Sequence, residues 1–263
     1  HGLCFAPVRG AHKPRQAAKA ARPNRLSVCS ADALSRAIEE LMKRAIVFDF
    51  DMTLVDFYIV DRKAVLSIIE NNINCIPKDE FYERSGEIIW EFYNKGMRFG
   101  DGIHKKRVEA ILEENEISYK NEYLANYLKI YLNEINIFDD VEETLKELKK
   151  KYKLGLLTNS IDTKCQRRRI EISGLTKYFE NICIAGEIGK YKPDVEAFYE
   201  IAERMNVECK ETIFIGDSEK HDIIGAKNAG MFAIKKDNGI INETKADYRF
   251  SKYNELTELI NKI

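Results

Sequence analysis

The sequence predicts an α/β fold: a doubly wound, Rossmann-like parallel sheet with a small helical bundle inserted after its first strand. Three observations carry that expectation. Short apolar runs, too brief for helices, recur along the second half of the chain and alternate with helical patterns, as strands and crossovers of a parallel sheet do. Those runs end abruptly in polar residues (Asp49 and Asp51, Thr158 and Asn159, Asp217), and such sheets bind ligands at the carboxyl ends of their strands. Residues 57–137, between the first run and the rest, show no strand pattern and four helical ones.

Ala45 to Phe48 is β-branched and aromatic, as a strand covered on both faces requires. Side chains two apart in an extended segment share a side, so Asp49 and Asp51 face one small object while Phe50 turns back into the protein. Two acids so close repel unless a cation sits between them, and a hard divalent ion suits their oxygens. The helical block follows. Its stripes are Ala64, Val65, Ile68 and Ile69; Phe81, Ser85, Ile88, Ile89 and Phe92; Val108, Ile111 and Leu112; and Tyr123, Leu124, Tyr127, Leu128 and Tyr131. At helical spacing these aromatics read as core, and the glycine-rich stretch 95–102 reads as a mobile loop.

The alternation then begins. Val141, Leu145 and Leu148 predict a helix with Asp140 as N-cap, Glu143 completing a capping box, and Lys149 to Lys151 at its carboxyl end. A strand Leu154 to Leu157 leads to Thr158-Asn159-Ser160, and a helix Thr163 to Ser173 is closed by Gly174, with Arg167, Arg168 and Arg169 as its polar face. Next come a strand Ile182 to Ala185, a loop through Lys192-Pro193, a helix Val195 to Met205 and a strand Thr212 to Ile215 ending at Gly216-Asp217-Ser218. A helix Asp222 to Ala229, a strand Met231 to Lys235 and a last helix carrying Leu256, Leu259 and Ile260 complete the pattern. His221 reads as solvated beside a helix start, and His104 as a surface residue of the helical block.

Lys+Arg 42 against Asp+Glu 43 leaves a formal charge of -1, so no global field argues for a nucleic-acid or membrane partner. The expected partner is a small molecule, and oligomeric state is open. Charge is unevenly spread: residues 1–41 hold seven basic and three acidic residues, against 35 and 40 in the remainder. That segment reads as an appended extension, mostly disordered. It is an organelle transit peptide or a fusion remnant before it is a nucleic-acid-binding arm, since it lacks interleaved aromatics. A cytoplasmic location is expected, or an organelle if the extension is a transit peptide. Six cysteines without C-x-x-C or histidine partners read as buried thiols of a reducing compartment.

Together, Asp49-Phe50-Asp51-Met52-Thr53, Thr158-Asn159, Lys192-Pro193 and Gly216-Asp217 with Asp222 resemble, in order and attachment to strand ends, the four motifs of the haloacid dehalogenase-like hydrolase superfamily. The resemblance covers 42–263, in the branch whose helical cap is inserted after the first motif. It implies a core of 42–56 and 138–263 and a cap of 57–137. It implies a Mg2+-dependent phosphatase of a small phosphorylated metabolite, whether phosphoglycolate-like, a sugar phosphate or a nucleotide. Asp49 would be the nucleophile and Asp51 the acid and base. Asp49, Asp217 and the main-chain carbonyl of Asp51 would hold Mg2+, with Asp222 in support. Thr158, main-chain N–H groups including that of Asn159, and Lys192 would hold the phosphoryl oxygens, and Arg98, with Lys105 and Lys106, would meet a second anionic group. A phosphomutase and a non-catalytic binding protein on the same fold are the rivals. One residue departs from the branch: glycine is common after the second aspartate, and here it is Met52.

Overall fold

The structure is a computed structural model and describes residues 43–70, 76–95, 97, 102–160, 162–239 and 243–263. Six parallel strands form one sheet: β1 (Ala45–Phe48), β2 (Lys153–Thr158), β3 (Asn181–Ile184), β4 (Thr212–Gly216), β5 (Phe232–Lys236) and β6 (Tyr248–Phe250). Their spatial order is β3-β2-β1-β4-β5-β6. The chain moves outward from β1 to β3, then returns to β1's other side with β4. That reversal makes the crevice beside β1 the topological switch point.

Period-two alternation sorts β1 onto both faces of the sheet. Ile46 and Phe48 join Leu154, Leu156, Ile213 and Ile215 in one apolar layer, under α5 (Val141–Leu148) and α10 (Tyr253–Ile260). Ala45 and Val47 join Leu157, Phe214 and Ala233 in the other, under α8 (Val195–Arg204) and α9 (Ile224–Asn228). A strand buried on both sides needs the continuous apolar run that the sequence shows.

Between β1 and α5 lie four helices, α1 (Phe57–Leu66), α2 (Lys78–Asn94), α3 (Ile103–Glu114) and α4 (Asn121–Asn133), which share a separate apolar cluster. At its centre Arg107 is 2% exposed. It donates to Asp61 at 2.6 and 2.9 Å, to the Ser85 hydroxyl at 2.8 Å and to the Tyr127 hydroxyl at 3.3 Å. The two connections to this insert run side by side: Asp56 N donates to Asn136 O at 2.8 Å, and Phe138 N to Leu54 O at 3.1 Å.

α6 (Thr163–Ile172) follows β2 and α7 (Ala185–Ile188) follows β3, so Ala185 opens a helix rather than ending a strand. β6 was not expected from sequence. Two further expectations are corrected. Asp140 adopts φ 63 and its side chain caps nothing, so the capping box with Glu143 does not form: an N-cap needs extended backbone there. The helix after β4 opens as a π-turn, Glu219–Ile223, before α9. Cys183 is buried and Cys165 and Cys209 are partly exposed, all three as thiols. Cys4, Cys29, Cys75, the extension 1–41 and most of the stretch 95–102 lie outside the described residues. Among the described residues no helix is long and apolar enough to cross a membrane.

Candidate active site

The site gathers where β1, β2 and β4 end. Asp49 extends β1 by one rung, its N–H donating to Ile215 O at 2.9 Å, and its carboxylate accepts from Thr53 Oγ1 at 3.2 Å. Lys192, only 3% exposed, places Nζ 2.6 Å from Asp49 Oδ1 and 2.6 Å from Asp222 Oδ1. The other Asp222 oxygen accepts from Ser218 N at 2.9 Å. Glycine at 216 makes this approach feasible, because a Cβ there would lie 2.5 Å from Asp222 Cβ and Cγ. Asp49, Asp217 and Asp222 each present an oxygen within 4.8 Å of the other two.

One lysine thus contacts two of the three carboxylates and leaves Asp217 without an ion pair to it, and the ionisation reflects the mismatch. Burial pushes the Asp49 carboxyl well above the usual carboxylate range; Lys192 opposes this, while Asp222 and Asp217 add to it. Asp217 is pushed up to about 6, by burial first and by Asp222 next. Burial alone would lower Lys192, but Asp222 and Asp49 outweigh it and hold the ammonium protonated. A donor set of hard oxygens with surplus negative charge fits a Mg2+-type cation.

The second motif divides its labour. The Asn159 side chain clamps the Lys192 backbone, Oδ1 accepting from Lys192 N at 2.9 Å and Nδ2 donating to Lys192 O at 2.8 Å. Thr158 Oγ1 accepts from Gln166 Nε2 at 3.2 Å, and the same nitrogen donates to Asp51 Oδ2 at 2.8 Å. Arg169 is 3% exposed, with its guanidinium 2.6 Å from Asp51 Oδ1 and 5.2 Å from the Phe57 ring centroid. Asp51, Asn159, Gln166 and Arg169 line a cavity of about 360 Å³, walled by Phe57, Tyr131 and Tyr191.

Asp49, Asp217, Asp222 and Lys192 therefore form one cluster, and Asp51 with Thr158 a second beside it, linked through Gln166. Sequence reasoning missed Gln166 and misassigned Arg169. Of the three arginines only Arg167 and Arg168 face outward, to Glu187 and to Leu132 O and Asn133. The signal was a glutamine and an arginine three apart, on one face of the helix after Thr158. His104 is corrected too. Its Nδ1 lies 2.8 Å from the Tyr127 hydroxyl and its ring packs on Tyr131, so burial pulls it down to about 4. His221 is exposed, with Nδ1 3.2 Å from Lys192 O. Lys105 pairs with Glu109 on the outside of α3, Lys106 is exposed, and Arg98 lies outside the described residues.

Residues 43–230 match the family described as haloacid dehalogenase-like hydrolase. The chain belongs to that family. Among curated relatives it is 29% identical over 197 residues to glyceraldehyde 3-phosphate phosphatase of Methanothermobacter thermautotrophicus, covering 73% of this chain and 85% of the relative. It is 28% identical over 240 residues to N-acylneuraminate-9-phosphatase of Rattus norvegicus, covering 84% and 94%. The fold resembles that of the family member YfnB from Bacillus subtilis, a structure bound to magnesium, with TM-score 0.67 and 23% identity over 84% of this chain and 99% of that one.

Proposed function

We propose that this haloacid dehalogenase-like hydrolase is a Mg2+-dependent phosphatase that cleaves a small phosphorylated metabolite through an aspartyl-phosphate. The observation that carries the reading is the Asp49 carboxylate at the switch point, held by a buried Lys192 and crowded by Asp217. A nucleophile so placed divides one difficult hydrolysis into two easier displacements.

The three carboxylates fit a divalent ion. Asp49, Asp217 and the main-chain carbonyl of Asp51 would hold it, with Asp222 in support, since both Asp222 oxygens already accept hydrogen bonds. When bound it supplies positive charge against the phosphoryl oxygens. Asp49 attacks phosphorus while Lys192, the Thr158 hydroxyl and the Asn159 main-chain N–H bind phosphoryl oxygens. Asp51, on the cavity side, gives its proton to the departing alcohol and takes one from the water that then opens the acyl phosphate. Residues 57–137 act as the cap, with Phe57 and Tyr131 facing the leaving group.

Both curated relatives above are named for phosphorylated, oxygen-rich metabolites. A cavity of about 360 Å³ with aromatic walls and a polar floor accommodates a leaving group of that kind, such as a sugar phosphate. The test is phosphate release from a panel of phosphorylated metabolites, in Mg2+ and in EDTA, by the wild type and Asp49→Asn. Metal-dependent release that the variant lacks is expected. Undiminished turnover by Asp49→Asn would remove the nucleophile assignment.

A further inference from the structure

Asp51 stands at the rim of the cavity with its side chain 31% exposed, and what fixes its carboxyl comes from α6. Gln166 Nε2 carries two hydrogens, one directed to Asp51 Oδ2 at 2.8 Å and one to Thr158 Oγ1 at 3.2 Å. The Gln166 Oε1 in turn accepts from Arg169 at 3.1 Å, which sets which way the amide faces: the reversed amide would oppose oxygen to carboxylate and nitrogen to guanidinium. Arg169 also reaches the other Asp51 oxygen at 2.6 Å, as an ion contact rather than a well-aligned hydrogen bond. Its guanidinium is fixed over two rings, 5.7 Å from the Phe50 centroid and 5.2 Å from that of Phe57. Both Asp51 oxygens are thus met by one buried, mutually bonded pair spaced three apart on a helix.

We propose that Gln166 and Arg169 are positioning residues that aim the Asp51 carboxyl at the leaving oxygen. This rests on the acid role given to Asp51 above. In the first half-reaction the bond from Asp49 Oδ to phosphorus forms, the bond from phosphorus to the leaving oxygen breaks, and the proton of the Asp51 carboxyl passes to that oxygen. The Asp51 carboxylate so produced stays against the Gln166 amide and the Arg169 charge, which suit its anionic form. Proton transfer needs hydrogen-bond reach and direction, and a displacement of roughly 1 Å can lower a rate about 100-fold.

A misplaced acid slows only those reactions whose leaving group needs a proton. Glycerol phosphate releases an alkoxide and needs one; 4-nitrophenyl phosphate releases a stable phenolate and does not. The experiment compares kcat/KM, which reports through leaving-group departure, for these two probes in Mg2+. Gln166→Met keeps the bulk and removes the donor, Arg169→Lys keeps the charge and removes the planar fork, and Asp51→Asn is the control. Each α6 variant is expected to lose about 30- to 100-fold on glycerol phosphate and less than about 5-fold on 4-nitrophenyl phosphate, with Asp51→Asn showing the same pattern more strongly. Equal losses on both probes, or none, with Asp51→Asn still selective, would overturn the inference and leave the acid role standing. An unselective Asp51→Asn would overturn the acid role and the inference with it. If Arg169→Lys does not fold, Gln166→Met decides alone, since its near-equal volume leaves the packing of α6 in place.

Discussion

Asp217 is a residue the folded apoprotein would be more stable without. Its carboxyl is pushed up from an ordinary 3.8 to about 6 by burial and by Asp222. The sign follows from proton linkage: a carboxyl with a raised folded pKa binds more protons folded than unfolded, so stability falls as pH rises from about 4 to about 6. Above that window the whole penalty is present, and a shift of this size corresponds to about 3 kcal/mol at 1.36 kcal/mol per unit. At pH 5 roughly half of it remains. Asp217→Asn keeps the shape, and the oxygen facing Asn238 Nδ2 at 3.4 Å, while deleting the charge. In EDTA at pH 7.5 the variant is therefore expected to melt roughly 6 to 12 °C above the wild type. The gain should halve at pH 5 and vanish near pH 3.5. In Mg2+ the order should close or invert, because only the wild type gains fully from an ion that binds the folded state. Thermal melts followed by circular dichroism at three pH values, with and without Mg2+, read all of this. A variant melting at or below the wild type in EDTA at pH 7.5 would refute the claim that uncompensated charge strains the site.

Other residues of the same architecture give further expectations. Lys192→Met deletes the cation shared by Asp49 and Asp222; turnover should fall by about 10²- to 10³-fold in steady-state assays, and urea melts in EDTA should show about 3–5 kcal/mol less stability. Gly216→Ala forces a Cβ to within 2.5 Å of Asp222, which should displace that carboxylate, destabilise by about 1–3 kcal/mol and reduce turnover with the circular dichroism spectrum unchanged. Arg107→Met strands Asp61 inside the insert and should remove about 3–5 kcal/mol in urea, whereas the double variant Arg107→Met/Asp61→Leu recovers most of it. A double variant as unstable as the single one would show that something other than the stranded charge is responsible.

The elements legible in the sequence are those fixed by local periodicity. The five longer strands announce themselves because a buried parallel strand needs an apolar run, and the polar residues at the ends of β1, β2 and β4 land at the carboxyl edge of the sheet by construction. Asp49, Thr158 and Asp217 were readable for that reason. β6 was not: three residues, Tyr248–Phe250, carry too short a pattern, and the strand exists because β5 offers an edge and Asp237 anchors Arg249 at 2.6 Å. Helices hide their function differently. Arg167, Arg168 and Arg169 are identical in type and adjacent, so composition assigns them one solvated face. Roughly 100° of helical rotation per residue separates them in space. That rotation sends Arg167 to Glu187 and Arg168 to the end of α4, and turns Arg169 inward against Phe57, a residue more than a hundred positions earlier. No window on the sequence contains both partners. His104 fails to read as half-buried for the same reason, since Tyr127 and Tyr131 pack against it from another helix. Met52 shows the limit from the opposite side. Its identity departs visibly from glycine, but only the backbone gives the physical meaning: φ is 60, in the left-handed region where a side chain costs about 1–2 kcal/mol. The turn holds because Met52 N donates to Val55 O at 2.8 Å and Met52 O accepts from Asn238 at 2.9 Å. Asn238 also faces Asp217, so the strained turn that follows Asp51 and the carboxylate beside Asp49 share one amide. Strain at that turn and surplus charge at the site are therefore borne together by the packed sheet beneath them, with Phe48, Phe50 and Leu54 fully buried on either side of the acids.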